Sequence, residues 1–144
     1  MGVLLDTHAL LWLVNGRVVM SAGAQFEMAR QQRDGALVVS QITGWELAVA
    51  MLKAAGQSRP DLGGESAERW FRNALDLTGA KLARITNAVA FEAARVPQIY
   101  GRRDPGDCFL IATARVRKIP IITRDAAMIA LAQERPDYLT VIAC

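Results

Sequence analysis

The sequence predicts a three-layer α/β/α domain with a mostly parallel central sheet. Short aliphatic and β-branched runs alternate along the chain with longer stretches of helical pattern, the signature of α/β architecture. Several of those runs are apolar throughout rather than alternating, as in strands buried on both faces. Acidic residues directly follow some of these runs. In parallel sheets, that position beyond the carboxyl ends of the strands is where ligands sit.

The elements follow in order. Gly2 to Leu5 is a short apolar run ending at an acid and reads as the first buried strand. Asp6 or Thr7 caps a helix through Ala9 to Val14, and Asn15-Gly16 stops it. Ser21 caps a helix over Ala22 to Gln32, and Asp34-Gly35 makes a turn. Ala36 to Val39 is the second strand, followed by a helix from about Ile42 to Lys53 that carries Trp45, Glu46, Val49 and Leu52. Gln57 to Glu65 is rich in Gly, Pro and polar residues and reads as a loop. Glu65 to Leu77 is an amphipathic helix with Trp70, Phe71, Leu75 and Leu77. Lys81 to Ile85 is a third, short strand. Thr86 or Asn87 opens a helix expected to end near Pro97, and Ile99 to Pro105 is a basic loop. Asp107 to Arg117 is helical, Ile119 to Thr123 is the fourth strand, Ala126 to Gln133 is a helix, and Tyr138 to Ala143 is a last β-branched strand. No repeat, low-complexity tract or linker divides the chain, so residues 1–144 are expected to form a single domain.

Composition narrows the class. With 144 residues, 52% hydrophobic and 22% charged, the chain is long and apolar enough for a real core. Its longest apolar run, Ala9 to Val14, is too short to span a bilayer. No basic segment precedes an apolar leader, so a cytoplasmic protein with no membrane partner is expected. One histidine and two cysteines, Cys108 and Cys144, cannot supply a zinc cluster, and nothing else supports a catalytic Cys–His pair. The net charge of +3 permits a nucleic-acid partner without requiring one. Arg102, Arg103, Arg115, Arg117, Lys118 and Arg124 lie close in sequence to the C-terminal acids.

Five acids beside apolar runs carry the functional signal: Asp6, Glu46, Asp104, Asp107 and Asp125. Each has an ordinary explanation. Asp6 and Asp125 are placed to cap helices, Asp104 and Asp107 to complement a helix dipole, and Glu46 to sit on a helix surface. Together, four segments would bring acids to one edge of the sheet, where they repel one another and raise their own pKa values. A hard divalent cation with oxygen ligands, Mg²⁺ or Mn²⁺, resolves that conflict. Such an ion acidifies water and neutralises phosphoryl charge, the requirements of phosphodiester hydrolysis.

The segments LLDTHALLW (Leu4 to Trp12), SQITGWELA (Ser40 to Ala48), DPGDCFLIATA (Asp104 to Ala114) and TRD (Thr123 to Asp125) resemble the motifs of PIN-domain ribonucleases. The VapC toxins of bacterial toxin–antitoxin pairs are the group they resemble most. The likeness runs from Val3 to Val141. It implies that Asp6, Glu46 and Asp107 are the core metal-binding and catalytic acids, with Asp125 as a fourth, more variable one. Asp104, Thr123 and Thr7 are implied supporting positions. The chain departs from the pattern at Gly106, where Phe is frequent, and at Cys108, where Arg is frequent. His8 belongs to the motif but is read as a packing or supporting residue, because hard cations prefer oxygen.

The expected activity is therefore Mg²⁺- or Mn²⁺-dependent cleavage of single-stranded or looped RNA. The expected partners are a cognate small antitoxin protein and a second copy of the chain, giving a homodimer and a toxin–antitoxin hetero-oligomer. Two alternatives remain. One is a receiver-like Mg²⁺-binding regulatory module, which would want a lysine after a late strand where this chain has Arg124 and Asp125. The other is a catalytically silent PIN-type nucleic-acid-binding protein, which would not need all four acids.

Overall fold

The computed structural model describes residues 2–16, 18–54 and 57–144. Five parallel strands form one sheet in the order β3-β2-β1-β4-β5: β1 (Val3–Leu5), β2 (Leu37–Ser40), β3 (Lys81–Ala83), β4 (Ile121–Thr123) and β5 (Val141–Ala143). The seven helices of the described residues are α1 (Thr7–Asn15), α2 (Ala22–Arg33), α3 (Gln41–Ala50), α4 (Ala67–Thr78), α5 (Asn87–Tyr100), α6 (Pro105–Arg117) and α7 (Ala126–Glu134).

The period-2 geometry of the strands splits their side chains between two cores. Leu4, Val38 and Ile121 face one layer, built with Val89, Ala93 and Val96 of α5, Leu110, Ile111 and Ala114 of α6, and Met128 and Leu131 of α7. Val3, Leu5, Leu37, Val39 and Ile122 face the other, built with Ala9 and Leu10 of α1, Met28 of α2, and Trp70 and Ala74 of α4. Helix α3 contributes Ile42 to the first layer and Leu47 to the second. Each fully buried Leu or Ile is worth roughly 1.5–3 kcal/mol in removed apolar surface. The uniformly apolar strands of the sequence thus have helices on both faces to cover them.

The chain runs outward from β1 to β3 on one side of the sheet, then returns to place β4 and β5 on the other side of β1. The point where the order reverses, between β1 and β4, leaves a crevice at their carboxyl ends. Asp6 follows β1 there, and Arg124 and Asp125 follow β4.

Several boundaries differ from the sequence expectation, each for a local reason. Helix α5 does not end near Pro97 but continues to Tyr100, capped by Gly101 in the left-handed region (φ 74°). Proline removes only its own N–H donor, and its carbonyl still accepts the Gly101 N–H at 2.9 Å. The expected basic loop therefore shrinks: Ile99 and Tyr100 are helical, and Pro105 is the first residue of α6. Helix α3 stops at Ala50, and Leu52 lies beyond it with 83% of its surface exposed. Strand β5 starts at Val141, because Tyr138 and Leu139 turn back to bond the Arg135 carbonyl. Strand β3 stops at Ala83, two residues short of Ile85, and β4 starts only after Pro120. On α4, Trp70 is buried but Leu77 points outward.

Candidate active site

Asp6, Glu46, Asp107 and Asp125 line a single cleft of about 320 Å³ at the carboxyl end of the sheet, with Thr7, His8, Trp12 and Arg124. The sequence expectation that separate segments bring these acids together is met in the geometry. Four different elements hold them, and each is held by its backbone context.

Asp6 is the N-cap of α1 and is only 6% exposed. Its Oδ1 accepts from the Ala9 N–H at 2.7 Å and its Oδ2 from the fully buried Thr123 hydroxyl at 2.5 Å. Thr123 Oγ1 in turn accepts the Asp125 N–H at 3.0 Å, so the ends of β1 and β4 are tied through one threonine. Asp125 caps α7, with Oδ1 accepting from the Met128 N–H at 2.9 Å. Asp104 caps α6 and accepts the Asp107 N–H at 3.0 Å, which leaves Asp107 in the first turn with its carboxylate free of capping duty. The capping explanation and the clustering are thus both true: three helix N-termini, α1, α6 and α7, end in aspartates. Asp104 itself does not line the cleft.

Glu46 projects from α3. Its Oε1 accepts from the Thr7 hydroxyl at 2.7 Å, and Thr7 Oγ1 lies 3.3 Å from Thr43 Oγ1. A β-carbon at Gly106 would stand 2.5 Å from Glu46 Cδ and overlap Oε2. The absent side chain at position 106 is therefore the space that the Glu46 carboxylate fills.

Tyr100 is a site neighbour that sequence reasoning missed. Its hydroxyl donates to Asp107 Oδ2 at 2.8 Å. Nothing in the spacing marks it. The contact depends on α5 running past Pro97, and the sequence reading ended that helix too early.

The electrostatics are those of carboxylates without a cation. Among the described residues, no Lys or Arg lies within ion-pair distance of Asp6, Glu46, Asp107 or Asp125. Burial pushes the Asp6 carboxyl above its usual range, against the lowering effect of its Thr123 and Ala9 bonds. Burial, reinforced by the charges of Asp107, Asp104 and Asp6, pushes Glu46 up to about 7 although the Thr7 bond opposes it. Asp107 is raised by burial and by Asp125, Asp104 and Asp6, while the Tyr100 bond lowers it. The Tyr100 hydroxyl is raised in return by burial and by its bond to Asp107.

An all-carboxylate set of donors is the chemistry of a hard cation. Among the described residues, Glu46 Oε2, Asp107 Oδ1 and Asp125 Oδ2 accept no hydrogen bond, so one oxygen on each of three acids has no donor. Among the described residues, no group of three or more His, Cys, Asp or Glu side chains stands, as placed, where it could hold a metal ion. Each of the four carboxylates is turned to a neutral donor.

Cys108 departs from this chemistry. Its thiol is buried in the α5–α6 layer, with Sγ 3.7 Å from the Arg102 carbonyl, and burial pushes its pKa up, away from a nucleophilic thiolate. His8 is an exposed side chain of the cleft wall, its ring 5.7 Å from that of Trp12. The basic residues expected near the C-terminal acids separate: Arg124 lines the cleft, whereas Arg115 and Lys118 line a different pocket with Tyr138.

A family model for the PIN domain matches residues 3–134 of the chain. The chain belongs to the PIN-domain family. No curated protein matches it. Among solved structures, this PIN domain is similar to a toxin–antitoxin complex from Klebsiella pneumoniae, at 20% identity and a TM-score of 0.58, covering 98% of this chain and 96% of that one. It is similar to a DNA-bound VapBC from Salmonella typhimurium, at 13% identity and a TM-score of 0.65, with coverage of 99% and 98%. It is also similar to VapBC-1 from nontypeable Haemophilus influenzae, at 18% identity and a TM-score of 0.60, with coverage of 99% and 98%. At these identities the likeness establishes a shared fold. No helix of the described residues is long and apolar enough to cross a membrane.

Proposed function

We propose that this PIN domain, residues 1–144 acting as one unit, is a Mg²⁺- or Mn²⁺-dependent endoribonuclease toxin that hydrolyses single-stranded or looped RNA. The observation that carries this reading is the convergence of four carboxylates from four elements in one cleft, with no Lys or Arg of the described residues paired to any of them. Asp6, Glu46, Asp107 and Asp125 would hold the ion. Bound there, it supplies positive charge to a phosphoryl oxygen and acidifies water. The chain's own residues orient that chemistry. Thr123 and the Ala9 N–H fix both oxygens of Asp6, Tyr100 fixes Asp107 Oδ2, and Thr7 fixes Glu46 Oε1.

The solved neighbours include toxin–antitoxin complexes, which supports a cognate small antitoxin as the partner that neutralises the activity. A homodimer joined to that antitoxin, in the cytoplasm, completes the proposal. The deciding experiment is cleavage of a labelled RNA pool by purified protein. Cutting with Mg²⁺ or Mn²⁺ that stops in EDTA is expected. Equal cutting in excess chelator, or no cutting with either ion, would overturn the reading. Co-expression with the product of a flanking small gene should suppress the activity, and light scattering should report a dimer.

A further inference from the structure

One arginine shares the wall of the carboxylate cleft. Arg124 stands between Thr123 and Asp125, and its guanidinium lies over the Trp12 ring, 4.4 Å from the centroid. Its Nε donates to the Cys144 carbonyl at 2.7 Å and its Nη2 to the Val19 carbonyl at 2.9 Å. Both acceptors are main-chain oxygens, and no Asp or Glu side chain of the described residues lies within ion-pair distance of it. Elsewhere on the surface arginines meet acids: Arg30 meets Glu27, Arg72 meets Glu68, and Arg95 and Arg115 meet Glu92. Arg124 is thus a cation beside four acids yet cancelled by none of them. The two carbonyl bonds and the ring hold it in place.

That arrangement has a chemical consequence. Two bonds use two of the five N–H donors of a guanidinium, and the rest remain available to an anion. A guanidinium already seated on an aromatic face loses little further freedom when it binds. A phosphodiester entering an acidic cleft is repelled by the carboxylates and needs a fixed positive group on the protein side. We infer that Arg124 is the substrate-phosphate-binding residue of this site, donating to a non-bridging phosphoryl oxygen, and that Trp12 is the positioning residue that holds its guanidinium in place. The assignment rests on the nuclease reading of the cleft.

The test uses the full chain carrying D107N, which blocks turnover, and fluorescein-labelled single-stranded RNA in EDTA. Adding R124Q should weaken RNA binding roughly tenfold or more, the scale of one charged hydrogen-bonding contact, and flatten the salt dependence by about one phosphate contact. R124K should recover only part of the affinity, because an ammonium lacks the planar fork. In the otherwise wild-type chain, R124Q should leave Mn²⁺ affinity, followed by electron paramagnetic resonance, unchanged or tighter. A structural strut would behave differently: R124Q would lower the melting temperature and leave RNA affinity as it was, which would overturn the assignment. Where R124Q does not fold, the ¹⁵N guanidinium resonances of Arg124 in D107N decide. They should shift on adding RNA, and an unmoved signal at saturating RNA would overturn the assignment. If the wild type neither binds RNA nor cuts it with Mn²⁺, the nuclease reading fails and takes this assignment with it. If the wild type cuts RNA while the R124Q substitution leaves binding intact, only the Arg124 assignment fails.

Discussion

Asp6 is buried and Asp107 half-buried; both are raised in pKa and held at one or both oxygens by a neutral donor. Replacing either with Asn keeps the shape and removes the charge. Asp6→Asn and Asp107→Asn should each slow metal-dependent RNA cleavage by roughly a hundredfold or more, the scale of a lost transition-state electrostatic contact. Wild-type rates from either variant would remove that residue from the site. Glu46 gives a second prediction at this scale. Its folded-state pKa, about 7, lies above the usual glutamate value of 4.5, so the folded protein binds this proton more tightly than the unfolded chain. Between those values the folded state holds more protons, and stability falls as pH rises. Asp6 and Asp107, also raised, act in the same direction. Without metal, the melting temperature should therefore decline from about pH 4.5 toward pH 7. Glu46→Gln should flatten that decline, and an unchanged slope in thermal melts would contradict the shift.

At the scale of elements, α5 and α6 are clamped by one side chain. Arg115 of α6 donates from Nε to Glu92 of α5 at 2.8 Å and from Nη1 to the Tyr138 carbonyl at 2.6 Å, and it stacks on the Tyr138 ring. Arg115→Met keeps the apolar stem and loses the charged bonds. It should cost about 2 kcal/mol in denaturant melts, within the range for charge-assisted hydrogen bonds. It should leave RNA cleavage near wild type, because Arg115 does not line the carboxylate cleft. A collapse of activity in the folded variant would show that α6 transmits the change to Asp107. The same pair of helices shows where element-level reading falls short. A proline was expected to close α5, yet the helix continues for three more residues, and that extra turn is what brings Tyr100 to Asp107.

For the whole molecule, the sheet order collects like charges in one cleft. Asp107 is not the N-cap of α6, a role held by Asp104, so Asp107→Asn should not cost a cap. In EDTA its melting temperature should equal or exceed that of the wild type, since one repelling charge has gone. Mn²⁺ should raise the wild-type melting temperature, because the ion binds the native state preferentially, and should raise the variant's much less. Destabilisation of the variant in EDTA, together with equal metal-induced shifts, would count against Asp107 as a ligand.

The sequence by itself determined the α/β class, the parallel sheet, most helix starts and the acids of the cleft. Those features have local causes: apolar runs bounded by turns, Ser, Thr and Asp at caps, and acids at strand ends. Thr123 and Thr7 were legible through the resemblance to the PIN-domain motifs, since the acids they bond, Asp6 and Glu46, lie far from them in the chain. Only the tertiary structure decided which groups meet. It set Tyr100 on Asp107, the Glu46 carboxylate in the space left at Gly106, and Arg124 against Trp12 with no Asp or Glu of the described residues as its partner. The physical reason is range. A cap or a strand is specified within a few residues, whereas these contacts join segments whose approach depends on the order of strands in the sheet and the packing of its helical layers.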